Sequence, residues 1–220
     1  MRNLIISLVA LLIYTQNTLS QHMNWESLST EQTHIINLNT GLEYTMNICL
    51  SYGYQLPTKM PIVLNASYSM PLGTVVFDDF KTKLGGQAMV FSIDRIMVTA
   101  KTNAIFRRYQ NDLARFSNFG SEFSAIMGYY KNRWFIAGEF GFDKAVTTHV
   151  KHSDLARAYN PDIKSGWYIP TGGNFFYGIQ LGFSFKTNDI TLLAGKFSTE
   201  DFRSAPSIPF YAQLGYNQRF

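Results

Sequence analysis

The amino-acid sequence predicts an all-β fold: a closed antiparallel barrel of about ten strands, with about eight as the alternative. Two observations lead to this prediction. Segments of about ten residues alternate strictly between apolar and polar or small side chains, and turn residues bound each segment. The chain also ends inside such a segment, so its last strand needs a partner for its free edge.

The first strands are predicted close together in the chain. The clearest alternation covers residues 42–54, where every second side chain from Leu42 to Tyr54 is apolar. A shorter strand is predicted at residues 34–38, with residues 39–41 as the turn between them. This short strand raises the count from nine to ten, and single-chain bacterial barrels use an even number of strands.

A hairpin is predicted within residues 84–107, which are too many for one strand. A two-residue turn at Asp94 and Arg95 places Ile93 opposite Ile96 on the same face. The apolar face before this turn consists of Met89, Phe91 and Ile93. The other alternating segments are residues 62–70, 119–129, 134–143, 175–185, 190–194 and 210–220.

The C-terminal segment has one continuous apolar face. Its members are Phe210, Ala212, Leu214, Tyr216 and Phe220. The pattern resembles the C-terminal signal of bacterial outer-membrane β-barrel proteins, which end on Phe after apolar residues at every second position. Gln218 departs from it, because an apolar residue is usual there. The resemblance implies an assembly signal at Phe210, Leu214, Tyr216 and Phe220, read by the barrel-assembly machinery, and a location in the outer membrane.

The N-terminal residues have the features of a secretory signal. Arg2 supplies the positive charge, and an apolar stretch follows that is too short to span a membrane as a helix. Residues 1–20 are therefore predicted to be a cleaved signal peptide, with an uncleaved anchor as the alternative. Residues 21–33 are predicted to be a periplasmic segment, either a short helix or a plug. Residues 34–220 form the predicted barrel.

The connections between strands predict an orientation. Short turns at residues 55–61, 94–95, 131–133 and 187–189 alternate with longer connections at 71–83, 108–118, 144–174 and 198–209. Short turns face the periplasm in barrels of this kind, and aromatic residues collect at both rims. The predicted periplasmic group is Tyr52, Tyr54, Tyr129, Tyr130 and Trp134, and the outer group is Trp167, Tyr168, Phe175, Tyr177 and Phe210.

Composition and charge narrow the possible folds and partners further. The net charge of +4 is small and scattered, which argues against nucleic acid as a partner. Cys49 is the single cysteine, so an intramolecular disulfide is impossible. A soluble barrel with its apolar face inward is the alternative fold. The polar faces of these strands carry Gly, Ser, Asn and Gln rather than many charges, which favours a lipid-facing apolar side and a polar lumen.

Five charged side chains are predicted to point into the lumen. They are Lys101, Arg107, Glu122, Glu139 and Asp143. Opposite charges in a confined, poorly hydrated space are expected to pair, because an unpaired buried charge is costly. The sequence therefore predicts a charge network that fills a narrow barrel. A narrow path for ions or small solutes through this network is the alternative.

One loop contains residues that could carry chemistry. His149, His152, Ser153 and Asp154 could bind a metal or form an acyl-hydrolase site, because a His can activate a Ser while a carboxylate orients the His. Their spacing fixes no geometry, so we interpret them as solvated loop residues. The sequence therefore predicts no catalytic, metal or cofactor site.

The predicted function follows from location and fold. We expect a structural or interaction component of the outer membrane, or an accessory subunit of a larger outer-membrane complex. Its expected partners are outer-membrane lipid and lipopolysaccharide, the assembly machinery during insertion, and other outer-membrane proteins. A narrow channel is the first alternative, and an outer-leaflet lipid-modifying hydrolase is the second.

Overall fold

The computed structural model describes residues 22–29, 31–43, 45–73, 77–170, 173–200 and 209–220. The predicted signal peptide lies outside these residues. The strands are β1 (His34–Glu43), β2 (Thr45–Leu56), β3 (Ile62–Pro71), β4 (Asp79–Ile93), β5 (Ile96–Gln110), β6 (Ala114–Lys131), β7 (Trp134–His152), β8 (Gly166–Tyr168), β9 (Gly173–Phe185), β10 (Asn188–Thr199) and β11 (Phe210–Arg219).

Ten of these strands close into an antiparallel barrel. Each long strand pairs with its neighbours in the chain, and β11 pairs with β1 to close the sheet. The short β8 pairs only with the outer part of β7, between Thr148 and Val150. The prediction of an all-β, ten-stranded closed barrel is confirmed.

The barrel has its polar side chains inside and its apolar side chains outside. Successive side chains of a strand point to opposite faces. On β2, Cys49 and Ser51 are buried, whereas the exposed fractions of Leu50 and Tyr52 are 44% and 43%. The same alternation follows on the other strands, so the buried residues include many Asn, Gln, Ser and Thr side chains.

The outer surface is lined with large apolar residues around the whole circumference. The exposed residues on barrel strands include Leu64, Leu84, Phe123, Met127, Ile136, Phe140, Ile179, Phe183, Leu192 and Leu214. Monomeric soluble proteins rarely expose contiguous apolar patches larger than a few hundred Å². The predicted direction of the apolar face is confirmed on the barrel strands, and the alternative of an inward apolar face is wrong.

The first hairpin differs from the prediction. Residues 39–41 are paired within β1, for example Asn39 with Cys49, and the chain turns only between Glu43 and Thr45. The prediction of a turn at residues 39–41 is wrong. Asn and Gly are common in turns, but Asn39 and Gly41 lie within a strand here. Their side-chain positions face the crowded lumen instead. A Cβ at Gly41 would lie 2.1 Å from the carbonyl oxygen of Ala212, so the position requires Gly.

The hairpin at Asp94 and Arg95 is confirmed, with Ile93 paired to Ile96. The prediction that Met89, Phe91 and Ile93 share one face is wrong. A β-bulge between Met89 and Phe91 inserts one extra residue, so Met89 packs toward the interior while 55% of Phe91 is exposed. Tyr130 also departs from the prediction: it is 1% exposed and lies inside the lumen rather than in the rim of aromatics.

The strands extend into the predicted long loops, so the connections at the two ends of the barrel differ less in length than predicted. Strand β6 begins at Ala114 and β5 ends at Gln110, so only residues 111–113 connect them. Strand β7 extends to His152 and is followed by α1 (Asp154–Tyr159) and β8, where a long loop was expected. A 3-10 helix (Trp25–Ser27) precedes the barrel. None of the described helices is long and apolar enough to cross a membrane.

Candidate functional site

The lumen is filled in layers, and β7 shows their order. From the short-turn end, its inward side chains are Phe135 and Ala137, then Glu139, then Asp143 beyond Gly141. We call residues 22–29 the plug segment. The charge layer above it consists of Glu43, Lys81, Lys83, Lys101, Glu122 and Glu139. The vestibule is the cavity above the charge layer, at the end of the barrel that carries α1.

The plug segment enters the lumen at the short-turn end and is held by side-chain hydrogen bonds. Asn24, which is fully buried, donates from Nδ2 to the carbonyl of Lys131 at 2.7 Å and to the hydroxyl of Ser184 at 2.9 Å. Asn217 donates to the carbonyl of His22 at 2.6 Å. Each of these bonds satisfies a buried polar group that would otherwise be costly.

Arg219 holds the plug segment at Ser27. Its guanidinium donates to the carbonyl of Ser27, to the Ser27 hydroxyl at 2.7 Å and to the carbonyl of Lys186 at 3.1 Å. It also pairs with Asp189 at 3.2 Å, and neither of these two side chains has any exposed surface. The guanidinium therefore joins the last strand, β10 and the plug segment.

Apolar contacts also hold the plug segment in the lumen. Met23 and Trp25 are 2% and 6% exposed. The barrel residues that pack in the same cluster are Ile35, Val63, Met97, Ile126, Tyr130, Phe135 and Ala137. Burying a large apolar side chain contributes about 1.5–3 kcal/mol. Room for these rings comes from glycine: a Cβ at Gly182 would lie 1.9 Å from Cε1 of Phe135.

His22 is the innermost residue of the plug segment that the structure describes. Its ring is almost completely buried, and this burial lowers the pKa of His22 to about 4. Glu139 opposes the shift, whereas Lys101 and Lys83 add to it. His22 is therefore neutral at pH 7, which suits a residue enclosed by protein.

The charge layer is built on two cross-lumen ion pairs. Lys81 on β4 pairs with Glu43 on β1, and Lys83 on β4 pairs with Glu122 on β6. Asn103 also donates to Glu122 at 2.8 Å. All four charged side chains are at most 16% exposed. Such pairs are costly to break from one side, because the remaining charge stays buried.

Glu139 is held by neutral donors. Ser124 donates to one carboxylate oxygen at 3.1 Å and Gln180 to the other at 2.8 Å. Beside Glu139, an apolar cluster on the neighbouring strands β9, β10 and β11 consists of Phe176, Leu193, Phe197 and Tyr211. The cavity left between this cluster and the charges measures about 50 Å³. This space is large enough for a few water molecules.

The vestibule has a volume of about 390 Å³. Strands β4 to β7 supply most of its wall. Lys81, Arg107 and Asp143 line it, together with the aromatic side chains of Tyr109 and Phe116. Lys144, also in its wall, pairs with Glu200 at 3.5 Å.

The five charges expected from the sequence all line the lumen cavities. Lys101, Glu122 and Glu139 lie in the charge layer, Asp143 lies between that layer and the vestibule, and Arg107 lies in the vestibule. The sequence predicts a loop at residues 71–83, and for this reason it does not identify Lys81 and Lys83 as lumen residues. Extending the alternation backward from Leu84 would have found both. Glu43 was missed as an ion-pair partner because its partner is distant in the chain.

The four loop candidates are not brought together. The His149 ring packs on Trp167, with 4.9 Å between ring centroids. Ser153 caps α1, accepting from the Ala156 amide at 3.2 Å and donating to the Asp112 carbonyl at 2.7 Å.

The other two have separate partners. The backbone amide of His152 donates to Ser165 at 3.0 Å, and Asp154 is exposed, with Arg157 at 3.9 Å. Among the described residues, Ser153 makes no hydrogen bond to either His, and no group of His, Cys, Asp and Glu could hold a metal ion.

Comparisons with known proteins add no family to this picture. No protein-family model matches the chain, and no curated protein matches it closely enough to be a relative.

Proposed function

We propose that this protein is an outer-membrane β-barrel with a sealed lumen, serving as a structural or interaction component or as an accessory subunit of an outer-membrane complex. The observation that carries the proposal is the combination of an apolar outer wall with a filled polar interior. Hydrocarbon favours the apolar wall and requires every backbone group to be paired, which a closed barrel achieves.

The filled lumen argues for a role that does not involve transport. The plug segment closes the short-turn end with hydrogen bonds and apolar contacts, and the charge layer crosses the middle. A transport path would need to break the ion pairs of Lys81 and Lys83 or displace Trp25. The outer wall and the exposed end with α1 are then the surfaces available to partners.

Membrane location can be tested by fractionation. The full chain, expressed in a Gram-negative host, should sediment with the outer membrane, resist extraction by alkaline carbonate and run faster on gels when unheated. A variant without residues 2–20 is the control and should remain in the cytoplasm. Release of the full chain as a soluble protein would contradict the proposal.

A narrow channel is the second candidate, because the lumen is polar and a large vestibule already opens at one end. It can be tested by conductance in planar bilayers. The sealed barrel predicts no steady conductance for the full mature chain. A steady conductance that changes in Glu122→Gln or Glu139→Gln would support the channel instead, with Glu31→Gln outside the charge layer as the matched control.

A further inference from the structure

Two cross-strand pairs of like charge lie in the charge layer and the vestibule wall. Lys81 on β4 lies directly opposite Arg107 on β5, and Glu122 on β6 lies directly opposite Asp143 on β7. Like charges in directly opposed positions destabilise a sheet. One member of each pair has a counter-charge: Lys81 has Glu43, and Glu122 has Lys83.

The other two members have opposite charges nearby but no close ion pair: Asp79 interacts electrostatically with Arg107, and Lys81 and Lys83 interact with Asp143. Within the part of the chain that the structure describes, Arg107 and Asp143 form neither an ion pair nor a side-chain hydrogen bond. Both are half-buried and both line the same cavity. A guanidinium and a carboxylate held in this way present one donor group and one acceptor group to whatever enters the vestibule.

The cavity has the size and lining of a small-molecule site. Its volume of about 390 Å³ falls within the range of roughly 300–1,000 Å³ that is usual for such sites. Tyr109 and Phe116, with ring centroids 6.1 Å apart, supply an apolar wall beside the charges. Apolar walls with a few convergent polar groups are typical of ligand pockets.

We propose that the vestibule binds a small hydroxylated organic anion of the sugar-acid class, with its carboxylate on Arg107 and a hydroxyl group donating to Asp143. Arg binds carboxylates through two parallel hydrogen bonds, and the carboxyl oxygens of Asp143 can accept from hydroxyl groups. The anion also offsets the repulsion between Lys81 and Arg107. A neutral sugar offers no negative charge to Arg107 and binds more weakly.

Titration calorimetry of the detergent-solubilised full mature chain tests the site, with D-glucuronate as probe and D-glucose as the neutral comparison. Glucuronate should bind saturably, and Arg107→Gln should weaken it about tenfold or more, since a hydrogen bond to a charged group is lost. Asp143→Asn should weaken it by a smaller factor. Because binding is measured in detergent, the result does not depend on membrane location or on a sealed lumen.

Arg108→Gln is the matched control, because Arg108 is the next residue on β5, points to the opposite face and pairs with Asp78 at 3.8 Å. It should leave glucuronate binding unchanged. Absence of saturable glucuronate binding, glucose binding of equal strength, or equal losses in the two Arg variants would each overturn the proposal.

The same chemistry could come from a free sugar acid or from the anionic sugars of lipopolysaccharide. A second titration therefore repeats the glucuronate measurement with lipopolysaccharide added to the micelles. Competition assigns the site to the lipid headgroup, and unchanged glucuronate affinity assigns it to a free solute.

Discussion

At the scale of single residues, buried charges and glycines decide what the lumen can hold. Arg219 and Asp189 form an ion pair with no exposed surface, and the same guanidinium holds the carbonyl and hydroxyl of Ser27. Gly182 leaves the space that the Phe135 ring occupies. These positions tolerate little change, because neither a lost counter-charge nor an added methyl group can be accommodated without movement.

Replacing Arg219 with Met should destabilise the folded barrel by about 3–5 kcal/mol, because Asp189 then remains buried without a counter-charge. The free energy of unfolding in urea, followed in detergent micelles, measures the loss. The double variant Arg219→Met with Asp189→Asn should recover a substantial part of it. If the double variant is as unstable as the single one, the loss comes from the contacts with Ser27 and not from the unpaired carboxylate.

At the scale of elements, the plug segment is the part of the lumen that can respond to pH. His22 has an ordinary pKa of 6.5, and burial lowers it to about 4 in the docked segment. The undocked segment therefore binds a proton between these values while the docked segment does not. Docking is unaffected above about pH 6.5 and weakens as the pH falls toward 4, by on the order of 3 kcal/mol in all.

Trp25 reports this change, since it is 6% exposed when docked. In a background of Trp134→Phe and Trp167→Phe, its fluorescence should shift to longer wavelength as the pH is lowered from 7 toward 4. His22→Asn cannot gain the proton and should show a smaller shift over the same range. An identical shift in both proteins would mean that another group controls docking.

At the scale of the whole molecule, closure depends on the pairing of β11 with β1. The two ends meet where His34 and Phe220 exchange backbone hydrogen bonds of 3.0 and 2.9 Å, and their rings stack with centroids 5.5 Å apart. We call the pairing of β11 with β1 the seam. Phe220 is 52% exposed on the outer wall, so its ring contributes both to the apolar surface and to the seam.

Removing Phe220 should weaken the seam and slow insertion, because two backbone hydrogen bonds and one ring contact are lost together. The half-time of folding into lipid vesicles, read from the mobility shift of unheated samples, measures this. Phe220→Tyr keeps the backbone pairs and the ring and should fold at close to the original rate. Equal slowing in both variants would show that the seam does not limit insertion.

The alternation of side chains was enough to predict the fold. A strand with a period of two shows from its sequence which residues share a face, and for this reason the hairpin at Asp94 and Arg95 and the inward side of Glu122 and Glu139 could be assigned without a structure. The first turn was misplaced, since Asn39 and Gly41 are turn residues by composition and lumen residues by position. The bulge after Met89 has no sequence pattern that would have predicted it.

By itself, then, the sequence determined a closed barrel of alternating strands and the side of each strand that faces out, because side-chain direction is a local property of the chain. The tertiary structure alone decided which charges meet. Closure and register bring together residues that are far apart in the chain. They set the contacts of Glu43 with Lys81 and of Arg219 with Ser27, and they place Arg107 beside Lys81. The plug segment and the vestibule follow from the same long-range contacts.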